Sequence, residues 1–263
     1  MNERLQTPTD SKSDSSTNNR SLLRGIEILR AFRAGSYTLG NSEIAERTGL
    51  AKSTVSRLTQ TLVCAGMLEI DTEQRAYRLA PATLSFAHSM RTGSQILQLV
   101  APKMRVLAES QGINVGLAAA DRDEMVYLES IRYKRRVAFR NVVSGQRVPM
   151  ELTSLGRAYL STLSIKERKP LYSIFSKRRA VQWQASLLNE IESAINDVQT
   201  LGYCAASWQP GVVAVAAPLY INGTTYALNT SMTTNENLTD IVKKLVLPLK
   251  DLVEEIKMNT GLQ

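Results

Sequence analysis

The sequence predicts an α+β fold in two parts: a small helical module with a short strand pair, and a larger domain that mixes strands with helices. Three observations predict it. The chain has 263 residues, more than the roughly 100 to 200 of one domain. Apolar residues recur at helical spacing between Ser21 and Gly66. Beyond Ile113, strand-like runs give way to helical ones and then to strands again, the pattern of an α+β domain with a mixed or antiparallel sheet.

Residues 1–20 are polar and almost without large apolar side chains, so they are expected to form a disordered leader. From Ser21, the spacing of Leu22, Ile26, Leu29 and Phe32 predicts a first helix with one apolar face running to Gly35. A polar stretch leads into a second helix, with Ile44 and Ala45 inward, Asn41 or Ser42 as its cap, and Gly49 as its end. Lys52 opens a third helix whose Val55, Leu58 and Leu62 form a narrow buried stripe, stopped by Gly66 as a glycine C-cap. Two short helices joined across residues 48–51 match a helix-turn-helix. Residues 67–70 and 77–79 read as two strands around the polar turn 71–76, a wing, and Pro81 closes the module.

The expected domains are therefore a leader at 1–20, a winged helix-turn-helix at 21–81, a linker helix at 82–92 and a second domain at 93–263. That domain opens on an amphipathic helix carrying Ile96, Leu97, Val100, Met104 and Leu107. Strands are expected at 113–120, 125–131 and 137–143, helices at 154–163, 166–175 and 184–201, and strands at 203–208, 212–221 and 225–232. A last helix runs from 238 to about 258. No internal repeat is present.

Composition narrows the function classes. With 43% hydrophobic and 21% charged residues the chain is ordinary for globular proteins, and no apolar run reaches the roughly 18 to 20 residues of a membrane span. The N-terminus lacks the basic-then-apolar pattern of a secretory signal, so the expected location is cytoplasmic. Cys64 and Cys204 are too few for a disulfide framework or a zinc site, and His88, on the expected linker, is the only histidine. With no nucleophile–base pair, phosphate loop or metal cluster, the sequence predicts no enzyme, no metal and no cofactor. The net charge of +8 and isoelectric point near 9.6 suggest a polyanionic partner such as nucleic acid. Charge alone does not locate its site, because residues 21–92 hold nine basic and six acidic side chains while residues 93–263 hold 20 and 15.

Outside its buried stripe the third helix presents Lys52, Ser53, Thr54, Ser56, Arg57, Gln60 and Thr61. Nearly all are hydrogen-bond donors, as a helix reading base edges and phosphates in the major groove requires. The same residues would also make a solvated helix face; the helix, turn and wing around them favour the groove. Arg75 and Arg78 sit on the wing, within reach of phosphate or the minor groove, or simply solvated.

These residues also carry a resemblance. The run from Gly49 to Leu58 (GLAKSTVSRL), followed by Gly66-Met67-Leu68 and Tyr77-Arg78-Leu79, resembles the IclR family of bacterial regulators. Val126-Tyr127-Leu128-Glu129, Val148-Pro149 with the run from Thr153 to Ala158 (TSLGRA), Leu201-Gly202-Tyr203, and Pro210-Gly211-Val212 with Val215-Ala216-Ala217-Pro218 continue it in order. The resemblance covers about residues 21–258. It implies a winged helix-turn-helix joined by a helical linker to a GAF/PAS-like α+β effector-binding domain, acting as a homodimer or dimer of dimers on a palindromic operator in double-stranded DNA. It further implies an effector pocket near Ser154, Leu155, Ala206, Ser207, Ala214, Asn229 and Ser231. A small organic or aromatic acid is the expected effector.

Two of these positions make physical sense for an acid. Asn229 and Ser231, two apart in a strand, point to one side, and Ser154 at a helix N-terminus would present its hydroxyl and free amides to a carboxylate. Each would serve equally as a cap or a satisfied core polar group. The chain departs from the family in several places: Ala51 replaces a usual proline, the wing turn lacks its common glycine, residues 204–209 form a shorter segment without acidic residues, and Ala214 stands for a frequent cysteine. Two basic clusters, 132–136 with Arg140 and 166–169 with 177–179, are expected to be solvated, or else to meet DNA or an acidic effector. The competing reading is a winged-helix protein-interaction module with a ligand-binding domain.

Overall fold

Asn19 starts the first helix, its side-chain oxygen accepting the Leu22 amide at 3.0 Å and occupying one of the amides a helix start leaves without an acceptor. The computed structural model describes residues 18–133, 143–234 and 237–259. These fall into two units, the first ending at Met90 and the second beginning at Arg91.

In the first unit α1 (Arg20–Arg30), α2 (Asn41–Thr48) and α3 (Lys52–Cys64) surround a core of Ile28, Leu39, Ile44, Val55, Leu58 and Leu68. The first helix corrects the sequence reading. It stops at Arg30 and buries Gly25 and Ile28, while Leu22 is 62% and Ile26 41% exposed; Leu29 and Phe32 are half-buried against the core. The cap of α2 is also corrected. Gly40 holds the cap position and the Glu43 carboxylate accepts its amide at 2.9 Å, so Asn41 and Ser42 lie inside the helix. At the end of α3, Met67 N–H donates to Leu62 O and Gly66 N–H to Val63 O with Gly66 at φ +70°, the paired bonds of a Schellman stop. The strands β1 (Leu68–Asp71) and β2 (Ala76–Leu79) pair antiparallel, and Leu39 exchanges two backbone bonds with Tyr77 on the outer side of β2. The helix α4 (Ala82–Thr92) buries none of its residues.

The second unit is a six-stranded antiparallel sheet in the order β5-β4-β3-β8-β7-β6, formed by β3 (Asn114–Asp121), β4 (Glu124–Ile131), β5 (Arg147–Pro149), β6 (Cys204–Ala206), β7 (Val212–Ile221) and β8 (Thr224–Thr233). One face packs on α5 (Gln95–Gln111) and α10 (Leu238–Asn259), through Val100, Met104, Leu117, Val215, Leu228, Leu245 and Leu249. The other packs on α6 (Ser154–Leu160), α7 (Ile165–Arg178) and α9 (Leu188–Leu201), through Met125, Leu155, Phe175, Ile191 and Ala216. Pleating divides neighbours between the two cores: Val213 and Val215 face α10 while Ala214 and Ala216 face α6.

Several boundaries differ from the sequence reading. The short edge strand β5 was not expected. α6 ends at Leu160 rather than Leu163, and β6 covers three residues of the expected 203–208. The helix expected from Gln184 begins earlier, as a single turn α8 (Ala180–Gln182) running through a π-helical segment (Trp183–Leu187) into α9. Of the expected strand 137–143, residues 137–142 lie outside the described residues, as do residues 1–17 of the expected leader.

The second basic cluster is not simply solvated. Arg168 is buried and bonds Glu192 at 3.3 Å, and Arg178 and Arg179 lie 3.5 and 3.2 Å from the fully buried Glu151 carboxylate. These three side chains serve as counter-ions to acids of the same unit, while Lys166, Lys169 and Lys177 are exposed. Of the first cluster, Arg132 alone of the arginines falls within the described residues.

Candidate functional site

The third helix is held by its apolar stripe and by Thr59, which is fully buried and satisfied by donation to Val55 O at 2.9 Å and Ser56 O at 3.0 Å. With that side fixed, Lys52, Ser53, Arg57, Gln60 and Thr61 are exposed and Thr54 and Ser56 half-buried. Ala51 caps the helix without a side-chain bond, so no side chain covers the first-turn amides beside Lys52 and Ser53. The turn before it is set by Gly49 at φ +69° and by Thr48, which donates to Ile44 O at 2.6 Å. Arg47 ties the α1–α2 connection to α2, donating to Ala31 O and Ser36 Oγ at 3.0 Å each.

The wing is less basic than its arginines suggest. Arg78 pairs with Glu69 directly across the hairpin at 2.9 Å, and Glu69, Asp71 and Glu73 outnumber Arg75 and Arg78. Arg75 is exposed and holds φ +50°, a left-handed conformation at the turn that lacks glycine.

In the second unit the register gathers most of the residues singled out for a ligand onto the α6 side of the sheet. Ala214 lies opposite Ser231 and Ala216 opposite Asn229 across the β7–β8 ladder, and Ala206 lies opposite Ala214 across β6–β7. Asn229 is buried and Ser231 half-buried. Ser154 and Leu155, both buried, open α6, which packs over β7 and β8. Two expectations need correction. Thr153, not Ser154, caps α6, its Oγ1 accepting Gly156 N–H at 3.2 Å and donating to Pro149 O at 2.8 Å. Ser207 lies beyond the end of β6, exposed, with its hydroxyl donated to Val212 O at 2.8 Å.

Two residues not singled out belong to the same face. The Tyr127 hydroxyl hydrogen-bonds the Asn229 side chain. Burial pushes the phenol up to about 12, against the pull of the Arg132 guanidinium and the Asn229 bond, so Tyr127 keeps its proton at neutral pH. Gly116, opposite Asn229 in the β3–β8 ladder, makes room for the pair: an added Cβ would stand 2.5 Å from Asn229 Oδ1 and 2.5 Å from a Tyr127 ring carbon. A glycine in mid-strand was the available signal in the sequence.

A cleft of about 490 Å³ opens on the other side of the sheet, between α5 and α10, lined by Pro102, Val106, Leu107, Leu247, Pro248 and Leu252 among others. It contains no expected site residue. Among the described residues no three His, Cys, Asp or Glu side chains stand where they would hold a metal ion, and no helix is long and apolar enough to cross a membrane.

Comparison with known proteins gives one answer for both units. Residues 21–72 match the IclR helix-turn-helix domain, and residues 88–258 match the domain described as bacterial transcriptional regulator IclR C-terminal. The HTH-type transcriptional regulator TsaQ1/TsaQ2 of Comamonas testosteroni is 30% identical over 244 residues, spanning 90% of this chain and 87% of its own. An IclR family transcriptional regulator from Brucella abortus has a crystal structure similar to this one, with TM-score 0.82 and 30% identity over 96% of each chain. An IclR homologue from Microbacterium hydrocarbonoxydans, crystallised with 4-hydroxybenzoate, shares the fold at TM-score 0.64 and 20% identity, over 90% of this chain and 99% of that one. The curated relatives are transcriptional regulators rather than enzymes. With both of its domain matches and most of its length covered, the chain belongs to the IclR family of bacterial transcriptional regulators.

Proposed function

We propose that this regulator binds a palindromic operator through α3 and that a small organic or aromatic acid, held on the α6 side of the sheet, modulates that binding. In this reading residues 21–81 form the DNA module, 82–92 the linker and 93–263 the effector domain, and the protein works in the cytoplasm. The observation that carries the DNA half is the exposed donor face of α3, with Lys52, Ser53, Arg57 and Gln60 presented while the opposite side is locked by Val55, Leu58 and Thr59. Thr54 and Ser56 flank it. The uncapped N-terminus of α3 adds free amides and positive dipole for a phosphate. Arg75 serves as a wing contact, and Arg78 contributes only if its exposed pair with Glu69 opens, at a cost of about 0–1 kcal/mol.

The effector half rests on the shared face of Ala206, Ala214, Asn229 and Ser231 beneath Ser154 and Leu155, which combines apolar surface with convergent polar groups. Ser207 stands at the edge of this set. The complex of the Microbacterium homologue makes 4-hydroxybenzoate the first acid to try. A homodimer, or a dimer of two such dimers, matches the exposed apolar side chains of α1 and α4: Leu22, Leu23 and Ile26 on the first, Leu84, Phe86 and Met90 on the second. Such surface is unusual on a monomer.

The experiment is a titration of labelled DNA from upstream of the regulator's own gene, with and without a panel of aliphatic and aromatic carboxylates. The expected result is sequence-selective, salt-sensitive binding that one acid shifts by roughly five- to 150-fold, the range of ordinary allosteric coupling. Absence of sequence preference at every salt concentration would favour the protein-interaction reading.

A further inference from the structure

The strands β3 and β4 do not pair in simple alternation. Ala118 lies opposite Tyr127 and Leu117 opposite Glu129, so Leu128 is an extra residue, a β-bulge. Its consequence is a change of face. Without the bulge, Tyr127 and Arg132, five residues apart, would point to opposite sides of the sheet. With it, Ser130 falls opposite Gly116, which is opposite Asn229. Arg132, two residues on and just past the strand, follows Ser130 to the face of Tyr127 and Asn229, and its charge acts on the Tyr127 phenol.

The guanidinium there lacks what a half-buried arginine normally has. Its Nε is buried without a hydrogen-bond partner, and Arg132 forms no ion pair among the described residues. The nearest acid along the strand, Glu129, is engaged by Arg91 at 2.7 Å, by Ser144 Oγ at 3.0 Å and by the Ser130 amide at 2.9 Å. A half-buried, permanently charged fork with an unsatisfied N–H is unfavourable in the free protein. It is matched by a carboxylate, which takes two parallel bonds from it.

Resting on the effector reading above, we infer that Arg132 is the anion anchor of this regulator, binding the carboxylate of the acid whose body lies over Ala214 and Ala216 and whose far end meets Tyr127, Asn229 and Ser231. Ala214 and Ala216 carry only methyl groups on this face of β7. Tyr127, kept protonated by burial, and Asn229 supply neutral hydrogen-bonding groups, so the one full positive charge of the set is Arg132. Ligands with a carboxylate are therefore selected over their uncharged analogues.

The test uses the full-length protein and its Arg132→Gln and Arg132→Lys variants. Calorimetric titrations employ 4-hydroxybenzoate, benzoate and short aliphatic carboxylates, each beside its carboxamide. The expected result is that an acid bound by the wild type binds Arg132→Gln roughly tenfold to a hundredfold more weakly. Arg132→Lys falls between, and carboxamide binding is the same in all three proteins. Ligand-free Arg132→Gln should melt at or above the wild-type temperature, because an unsatisfied buried group has been removed.

Equal binding of the acid by wild type and Arg132→Gln would overturn the anchor and leave the effector reading standing. A panel in which no acid binds the wild type would overturn both. A ligand-free Arg132→Gln that melts several degrees lower, or fails to fold, would make Arg132 a structural residue and overturn the anchor.

Discussion

Gly116 faces Asn229 across the β3–β8 ladder so closely that a Cβ on the glycine would stand 2.5 Å from the asparagine side-chain oxygen. The backbone of Gly116 needs no left-handed conformation, so the absent side chain is what matters. Gly116→Ala should displace Asn229 and Tyr127 together. The expected outcome is a loss of about 1–3 kcal/mol of stability, the usual cost of overpacking, with weaker binding of whichever acid the wild type takes. Thermal unfolding and calorimetric titration of the one variant measure both.

Gly156 is a sterner case, because its added Cβ would lie 2.0 Å from the Met150 carbonyl oxygen and 2.4 Å from its Cα. Backbone cannot rotate away as a side chain does. Gly156→Ala should therefore cost more than ordinary overpacking and unfold the second unit while leaving α1 to β2 folded, a difference that hydrogen exchange resolves unit by unit.

Glu151 is fully buried between Arg178 and Arg179, each about one-third exposed. Glu151→Gln removes the charge that both guanidiniums face. Breaking a buried pair from one side costs about 3–5 kcal/mol, and the partial exposure of the arginines places the expected loss near the lower end. Denaturant unfolding measures it, and an unchanged midpoint would mean that the ion pairs contribute nothing.

The two thiols should differ sharply. Cys64 at the end of α3 is exposed, whereas Cys204 is buried, donates to Ser154 O at 3.4 Å, and has its pKa pushed up to about 12 by burial. Thiolate is the reactive form. Iodoacetamide at neutral pH should label Cys64 alone in the native protein and both after unfolding, as mass spectrometry of the digested chain would show.

Arg75 holds a left-handed turn position that costs a non-glycine residue roughly 1 kcal/mol. Arg75→Gly should raise the melting temperature of the first unit and at the same time weaken DNA binding, reducing the slope of log affinity against log salt by about one. A variant that gains stability without losing affinity would remove Arg75 from the interface.

Much of this was legible in the sequence wherever one face of an element is buried by a simple period. The stripe of Val55 and Leu58, the glycine stops at Gly49 and Gly66, and the long alternations of β7 and β8 appear nearly where expected. Reading failed where a contact far along the chain decides. Four apolar residues at helical spacing suggested the inner face of α1, yet packing against α2 and α3 selected Ile28 and left Leu22 and Ile26 in solvent. The cap of α2 came from Glu43, inside the helix, and β5 is too short to carry a pattern. The ligand face was half visible: Asn229 and Ser231 follow from period-two alternation, but Arg132 does not, because one extra residue at Leu128 reverses the parity that counting along the strand assumes.

The central claim is that α3 reads DNA, and its most direct test is a salt series of binding to the upstream DNA by wild type, Lys52→Glu and Arg57→Ala. The account predicts sequence-selective binding by the wild type, a slope reduced by about one in Arg57→Ala, and near-complete loss in Lys52→Glu, all with the fold intact by circular dichroism. Binding by both variants with wild-type affinity and slope would contradict it.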